Sequence, residues 1–178
     1  MKGIIFNLLE DVVVDAYGES TWDELLDAAG VDGVYTSLGS YDDEEITALV
    51  SAAATKLSQP EDEVLRWFGR QAIPDMAKRW PEFFSAHQTT LPFLLSLNDL
   101  IHPEVRKLYS GAYCPFFAFN SPSDGSLTIG YQSQRKLCHL AHGFILGACD
   151  YYGESLEVQH RECMHQGAAR CLISVTPA

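Results

Sequence analysis

An α+β fold, with a helical N-terminal layer and a C-terminal four-stranded antiparallel sheet accompanied by helices, is the class this sequence predicts. Three observations carry it. Apolar residues recur at helical spacing through the first half, strand-like segments in two turn-linked pairs follow Tyr109, and no internal repeat or low-complexity linker interrupts the 178 residues. That length suits one large domain.

Ile4, Ile5, Leu8, Leu9, Val12, Val13 and Ala16 form one apolar stripe, ended by Gly18. Ser20, with Asp23 three residues on, is placed to cap a second helix running through WDELLDAA to Gly30. VDGVYTSLGSY reads as irregular. DDEEITALVSAAATKLS opens with four acids at the positive end of a helix dipole, and Pro60 suits the first turn of the next helix, EDEVLRWFGRQAI. Pro74, Pro81 and Pro92 each start or kink a helix. LPFLLSLNDLI is an apolar helix, and His102 before Pro103 marks its break, because proline disfavours helical geometry in the preceding residue.

CPFFAFN, the turn signal SPSDG and SLTIGYQSQ predict a β-hairpin. In RKLCHLAHGFILGACDYYG, Leu137, Leu140, Ala141, Phe144 and Ile145 fit a buried helix face. SLEVQHREC and ARCLISVT, around a turn at Gly167, predict a second hairpin.

Acidic residues outnumber basic ones 24 to 12, giving a net charge of −12. Such a field repels phosphate backbones and anionic lipid surfaces, so neither nucleic acid nor membrane is an expected partner. The apolar start is interrupted by Asn7, Glu10 and Asp11 and lacks a small-residue cleavage site, and no apolar run is long enough to span a bilayer. A cytoplasmic protein is expected, in which the five cysteines are thiols or metal ligands rather than a disulfide scaffold.

Two constellations carry chemistry. Tyr131, Ser133 and Arg135 alternate, so an extended strand would aim two hydroxyls and a guanidinium fork the same way, as a clamp for a carboxylate or phosphate. The other reading of that pattern is a solvated strand face. His102 is either a dipole partner at a helix end or an axial metal ligand beside an apolar cavity. Together, cavity, imidazole and clamp match what haem needs: a slot, an iron ligand and donors for the propionates. Cys138, His160, Cys163 and Cys171 offer three sulfurs and one imidazole, suited to tetrahedral zinc, with buried thiols or a Cys163–Cys171 disulfide as the alternative. Cys114 and Cys149 read as small core residues, and His87, His139, His142 and His165 as ordinary surface or core residues.

MKGIIFNLLE, HPEVRKLY, Pro115, YQSQR and the stretch from HREC to CLI together resemble the haem nitric oxide/oxygen-binding (H-NOX) domains of bacterial sensors and soluble guanylate cyclases, along the whole chain. The resemblance implies a stand-alone bacterial member enclosing haem b, with a helical distal part over about residues 1–65 and a proximal part over about 66–178. It implies His102 as axial iron ligand, Tyr131, Ser133 and Arg135 on the propionates, and Pro115 packed against the macrocycle, the other reading of Pro115 being the start of an edge strand. Oxygen-binding members carry a distal tyrosine five residues after the motif arginine, where this chain has Leu140. Their supporting tryptophan and asparagine align with Leu9 and Pro74, which implies an apolar distal pocket. Distal donors decide whether a ferrous haem retains dioxygen. The expected function is therefore sensing of nitric oxide and CO with exclusion of O2.

No kinase or cyclase motif is present, so the output is expected in a partner, which in bacterial members is a histidine kinase or a cyclic-di-GMP enzyme. The signal implied is loss of the bond between iron and His102. Some members carry zinc at a site resembling Cys138, His160, Cys163 and Cys171, and a zinc or thiol redox sensor is the alternative function. A haem-dependent catalyst is disfavoured, because the aligned distal positions lack an acid or base, and no enzyme activity is expected.

Overall fold

Alternation along two central strands decides which face of the sheet is dry. In this computed structural model, which describes residues 1–122 and 125–178, β1 (Phe116–Asn120), β2 (Leu127–Gln132), β3 (Leu156–Glu162) and β4 (Cys171–Pro177) form one antiparallel sheet in the order β1-β2-β4-β3. Leu127, Ile129 and Tyr131 on β2 stand opposite Val175, Ile173 and Cys171 on β4. All six are buried, and they form the floor of the core. Both expected hairpins are present as the pairs β1–β2 and β3–β4. The SPSDG turn between β1 and β2 includes Ser123 and Asp124, which lie outside the described residues.

Among the described residues, eight α-helices supply most of the rest. α1 (Gly3–Tyr17), α2 (Glu19–Ala29), α3 (Asp43–Leu57) and α4 (Glu61–Arg79) build the N-terminal layer. α5 (Pro81–Ser85), α6 (Thr90–Leu95), a π-helical turn (Leu97–Ile101) and α7 (His102–Leu108) lead to the sheet, and α8 (Cys138–Tyr152) joins the two hairpins. The α+β class is as expected. Some boundaries are not. α2 starts at Glu19 with no side-chain cap, because Gly18 at φ 88° reverses the chain within one residue and leaves no room for Ser20 to stand outside the helix. Pro60 occupies the N-cap of α4 rather than its first turn.

His102 is the larger correction. It does not mark a break: its φ of −63° and ψ of −37° are helical, and the chain runs from the π-helical turn directly into α7. Pro103 falls within the first turn of α7, where a missing N–H costs little. The register change is absorbed before His102 instead, where the amides of Ile101 and His102 reach back five residues to Ser96 and Leu97.

Two large apolar clusters, with a small one of Val50, Ala54 and Val64, fill the interior of the described residues. One lies among α1 to α4 and includes Phe6, Leu8, Leu9, Trp22, Leu49 and Phe68. The other lies over the sheet and includes Phe84, Phe93, Phe117, Ile129 and Ile173. Helix α4 serves both, with Phe68 and Ala72 in the first and Ile73 and Ala77 in the second.

The crossing of α4 and α8 is made at backbone distance. A Cβ on Gly143 would sit 2.2 Å from the Arg66 carbonyl oxygen, and one on Gly69 would sit 2.5 Å from that of Leu140. Gly147 faces the Arg70 carbonyl in the same way, and Pro74 has already deprived that carbonyl of its helical partner. Close packing tolerates little added volume. Gly143→Ala should therefore destabilise the protein by about 1–3 kcal/mol, the usual cost of overpacking, read from urea unfolding. Gly153→Ala, where a Cβ would meet open space, should show only the smaller strain of its left-handed backbone. Equal losses in the two variants would mean that the crossing can open without cost.

Candidate functional site: an apolar cavity between the layers

Between the helical layer and the sheet lies a cavity of about 390 Å³. Helices α1, α4 and α8 contribute Ile4, Ile5, Leu8, Ile73, Met76, Leu140, Ala141, Phe144 and Ile145 to its wall. None of these side chains carries an N–H or O–H. His102, Tyr131, Ser133 and Arg135 all reach the cavity, with Pro115 among them, and Lys2, Ser40, Trp80, Tyr109 and Tyr113 add further polar groups to its lining.

His102 sits at the start of α7, its ring 5.7 Å from that of Phe117 between centroids. Burial, with the Arg106 charge nearby, pushes its pKa down to about 4, while a hydrogen bond to the Pro115 carbonyl works in the opposite direction. The imidazole is therefore neutral at neutral pH. With one nitrogen donating to Pro115, the other keeps a lone pair.

The Tyr-x-Ser-x-Arg motif does not lie on one strand as expected. β2 ends at Gln132, so Tyr131 is in the strand, Ser133 just beyond it and Arg135 in the turn that leads to α8. The turn is closed by the Ser133 hydroxyl accepting from the Arg135 amide at 3.2 Å and by Lys136 at φ 50°. Tyr131 and Ser133 are buried. Burial raises the Tyr131 phenol to about 12, which keeps it a neutral donor.

Arg135 is already engaged by a residue that sequence reasoning missed. Its Nε donates to Asp43 Oδ2 at 2.7 Å, one terminal nitrogen donates to the Tyr113 carbonyl at 3.2 Å, and the guanidinium lies 5.1 Å from the Tyr113 ring centroid. Burial tends to raise the Asp43 pKa, but hydrogen bonds from Arg135 and the N-terminal amine overcome it and hold the carboxyl below its usual value. Asp43 is 92 positions from Arg135, and no local pattern connects them.

Two of the three residues assigned to the distal pocket are elsewhere. Leu140 is on the cavity wall. Leu9 is buried within the helical cluster, and the turn of α1 gives its place on the wall to Ile5 and Leu8. Pro74 is exposed on the outer side of α4, and its neighbour Ile73, about 100° around the helix, faces the cavity instead. The wall is still apolar, but Ile5 and Ile73 make it so.

Beneath α8 a second group of donors converges. Cys138, His139, His160 and Cys163 can each offer one ligand atom, all within 4.8 Å of one another. Cys138 and Cys163 sulfurs are 3.9 Å apart, and Cys163 Sγ is 3.8 Å from His139 Nε2. Cys171 abuts them, its sulfur accepting from the Met164 amide at 3.2 Å. Residues three apart on a regular strand face opposite sides. The bulge between His160 and Glu162 adds the residue that brings His160 and Cys163 to one side. All five cysteines are free thiols. Both His160 ring nitrogens are buried without a hydrogen-bond partner. Burial raises the Cys138 and Cys171 thiols and lowers His160, and it takes His139 down to about 4. His139, read from sequence as an ordinary residue, is thus part of this group; its adjacency to Cys138 was the available signal.

The cavity's donor set fits a haem: apolar walls, one neutral imidazole and a cationic, hydroxyl-bearing rim. Comparison with known proteins agrees. The chain aligns over 98% of its length with 98% of an H-NOX protein from Shewanella oneidensis whose structure was solved in the Fe(II)NO state, at 34% identity and a TM-score of 0.92. It aligns over its full length with 97% of an unliganded Fe(II) H-NOX protein from K. algicida, at 26% identity and a TM-score of 0.88. A soluble guanylate cyclase of Caenorhabditis elegans, gcy-32, is 25% identical over 151 residues, which are 82% of this chain but only 22% of that protein. The model of the haem-NO-binding family matches residues 2–160. With that match over most of its length, this chain belongs to the haem-NO-binding (H-NOX) family of haem-based gas sensors.

Proposed function

We propose that the protein is a cytoplasmic sensor that binds nitric oxide and CO at a ferrous haem b, excludes O2, and signals to a separate protein through release of His102. The observation that carries this reading is the meeting of His102 with Tyr131, Ser133 and Arg135 on one cavity whose α1, α4 and α8 walls are apolar. Bound there, haem supplies a ferrous iron that takes up a diatomic gas. His102 would hold the iron through its free ring nitrogen. Arg135, already fixed by Asp43 and Tyr113, would present its unused N–H groups to a propionate, beside the Tyr131 and Ser133 hydroxyls. Pro115 would pack against the macrocycle close to His102.

Ile5, Ile73 and Leu140 offer no hydrogen bond to a gas on the α1, α4 and α8 side. A single hydrogen bond is worth about 1 kcal/mol, and its absence penalises O2 more than NO or CO. The same lack of an acid or base favours a sensor over an enzyme. No described helix is long and apolar enough to cross a membrane, which accords with a cytoplasmic sensor. A histidine kinase or a cyclic-di-GMP enzyme is the partner we favour, as for bacterial members that this chain resembles.

A second reading concerns zinc, and the donors within 4.8 Å favour it. Cys138, His139, His160 and Cys163 would hold it, with Cys171, the expected fourth ligand, alongside. Burial now disfavours the thiolates that zinc requires, and a bound dication would reverse that balance. A thiol or zinc redox input at this site is the alternative to gas sensing as the main function.

Three outcomes test these readings. The Tyr131→Phe, Arg135→Ala double variant should release haem to apomyoglobin at least about tenfold faster than wild type, since charge-assisted bonds are each worth about 1.5–3 kcal/mol; wild-type retention would remove the clamp. Reduced, haem-loaded protein moved from argon to air should keep its Soret band in place, while NO shifts it at once. A shift in air that reverses under argon would overturn oxygen exclusion. Elemental analysis of reduced protein purified without chelators should find about one zinc per chain, and Cys163→Ala should abolish it; zinc-free wild type would leave these residues as core thiols.

A further inference from the structure

Among the described residues, one side chain, Asn98, hydrogen-bonds the π-helical turn that leads into His102 to the sheet. Asn98, four residues before His102, donates from Nδ2 to the Phe117 carbonyl at 2.7 Å and accepts from the Phe117 amide on Oδ1 at 3.1 Å. Phe117 is on β1, an edge strand whose one neighbour is β2. Its amide and carbonyl therefore point to the open edge, where Asn98 takes the place of a missing strand. The Phe117 side chain stands off the face of the sheet. It is buried, with its ring 5.7 Å from His102 and 5.9 Å from Tyr131 between centroids, and it lies on the cavity wall. One residue thus touches the proposed iron ligand and the proposed propionate clamp with its ring, while its backbone is held by the turn that carries His102.

The other links from α7 to β1 are the His102 hydrogen bond to the Pro115 carbonyl and the covalent segment from Tyr109 to Pro115, both of which meet the chain before the strand begins. That segment has no regular structure, and Gly111 within it takes a positive φ of 77°. A loop of this kind absorbs displacement. A paired donor and acceptor on a strand backbone does not, because sliding breaks both bonds together. Asn98 is not on the cavity wall, whereas its neighbours Leu97 and Ile101 are.

We infer that Asn98 is a positioning residue that couples the π-helical turn bearing His102 to edge strand β1, so that movement of His102 is delivered to the sheet edge. The inference rests on the reading of His102 as iron ligand, and it adds the element that receives the movement. The exposed surface at this edge includes Phe116, which is 73% exposed, so a change at Phe117 is presented beside an apolar side chain in solvent.

The test is amide hydrogen exchange at Phe117 in the full, haem-loaded chain, with and without NO. Wild type should protect this amide, and NO should change its protection by about tenfold, the scale of one to two lost hydrogen bonds. Asn98→Leu, similar in shape but without either bond, should lose the protection in the absence of gas and show no further response to NO. Its haem content and Soret shift with NO should stay as in wild type. Asn98→Asp keeps the acceptor for the Phe117 amide and should restore its protection without restoring the bond to the carbonyl. Phe117 protected equally in wild type and Asn98→Leu, or an NO response at β1 that survives in Asn98→Leu, would overturn the coupling. The gas-free measurement does not depend on His102. A His102→Gly variant that keeps the wild-type ferrous spectrum would instead overturn the iron-ligand reading, and the two failures are thereby told apart.

Discussion

Backbone contact between α4 and α8 is the constraint on which the rest of this structure depends. With Gly69, Gly143 and Gly147 at the crossing, the helices come within backbone distance of one another. α4 can then serve both apolar clusters, and α8 can lie between the helical layer and the sheet. One helix consequently delivers Cys138 and His139 to the thiol and imidazole cluster at its first turn, and Leu140, Ala141, Phe144 and Ile145 to the cavity wall immediately afterwards. A wider crossing would change the shape of the cavity and the position of the cluster together.

Burial sets the charge state of both sites in the same direction. It keeps His102, His139 and His160 neutral and the Cys138 and Cys171 thiols protonated. Neutral imidazoles keep lone pairs, so the histidines are ready to ligate a metal, whereas the thiols require a cation to repay their ionisation. Arg135 is treated differently. Its charge stays at the rim and is neutralised by Asp43, leaving the guanidinium oriented before any ligand arrives. Orientation in advance reduces the entropy that a ligand must supply on binding.

Much of this was legible in the chain itself, because short-range physics wrote it there. Helical periodicity, the change of pattern after Tyr109 and two turn-linked hairpins specified the α+β class, and the YQSQR and HPEVRKLY segments specified the family. Direction around a helix is less legible. The family resemblance aligns Leu9 and Pro74 with pocket positions, yet one residue of helical rotation gives the wall to Leu8 and Ile73. A proline after His102 predicts a break, but a proline in the first helical turn is tolerated, and the irregularity lies upstream in the π-helical turn.

The sequence by itself determined which elements form, which residue types are available for ligation, and the lack of a donor at Leu140, since each follows from neighbours within a few positions. Tertiary structure alone decided the partners. Asp43 meets Arg135 across 92 positions, Asn98 clasps Phe117 across 19, and a bulge after His160 corrects the parity that would have turned Cys163 away. Each of these depends on how separate elements pack and register against one another, and that geometry is fixed by the sum of many weak contacts rather than by any local pattern.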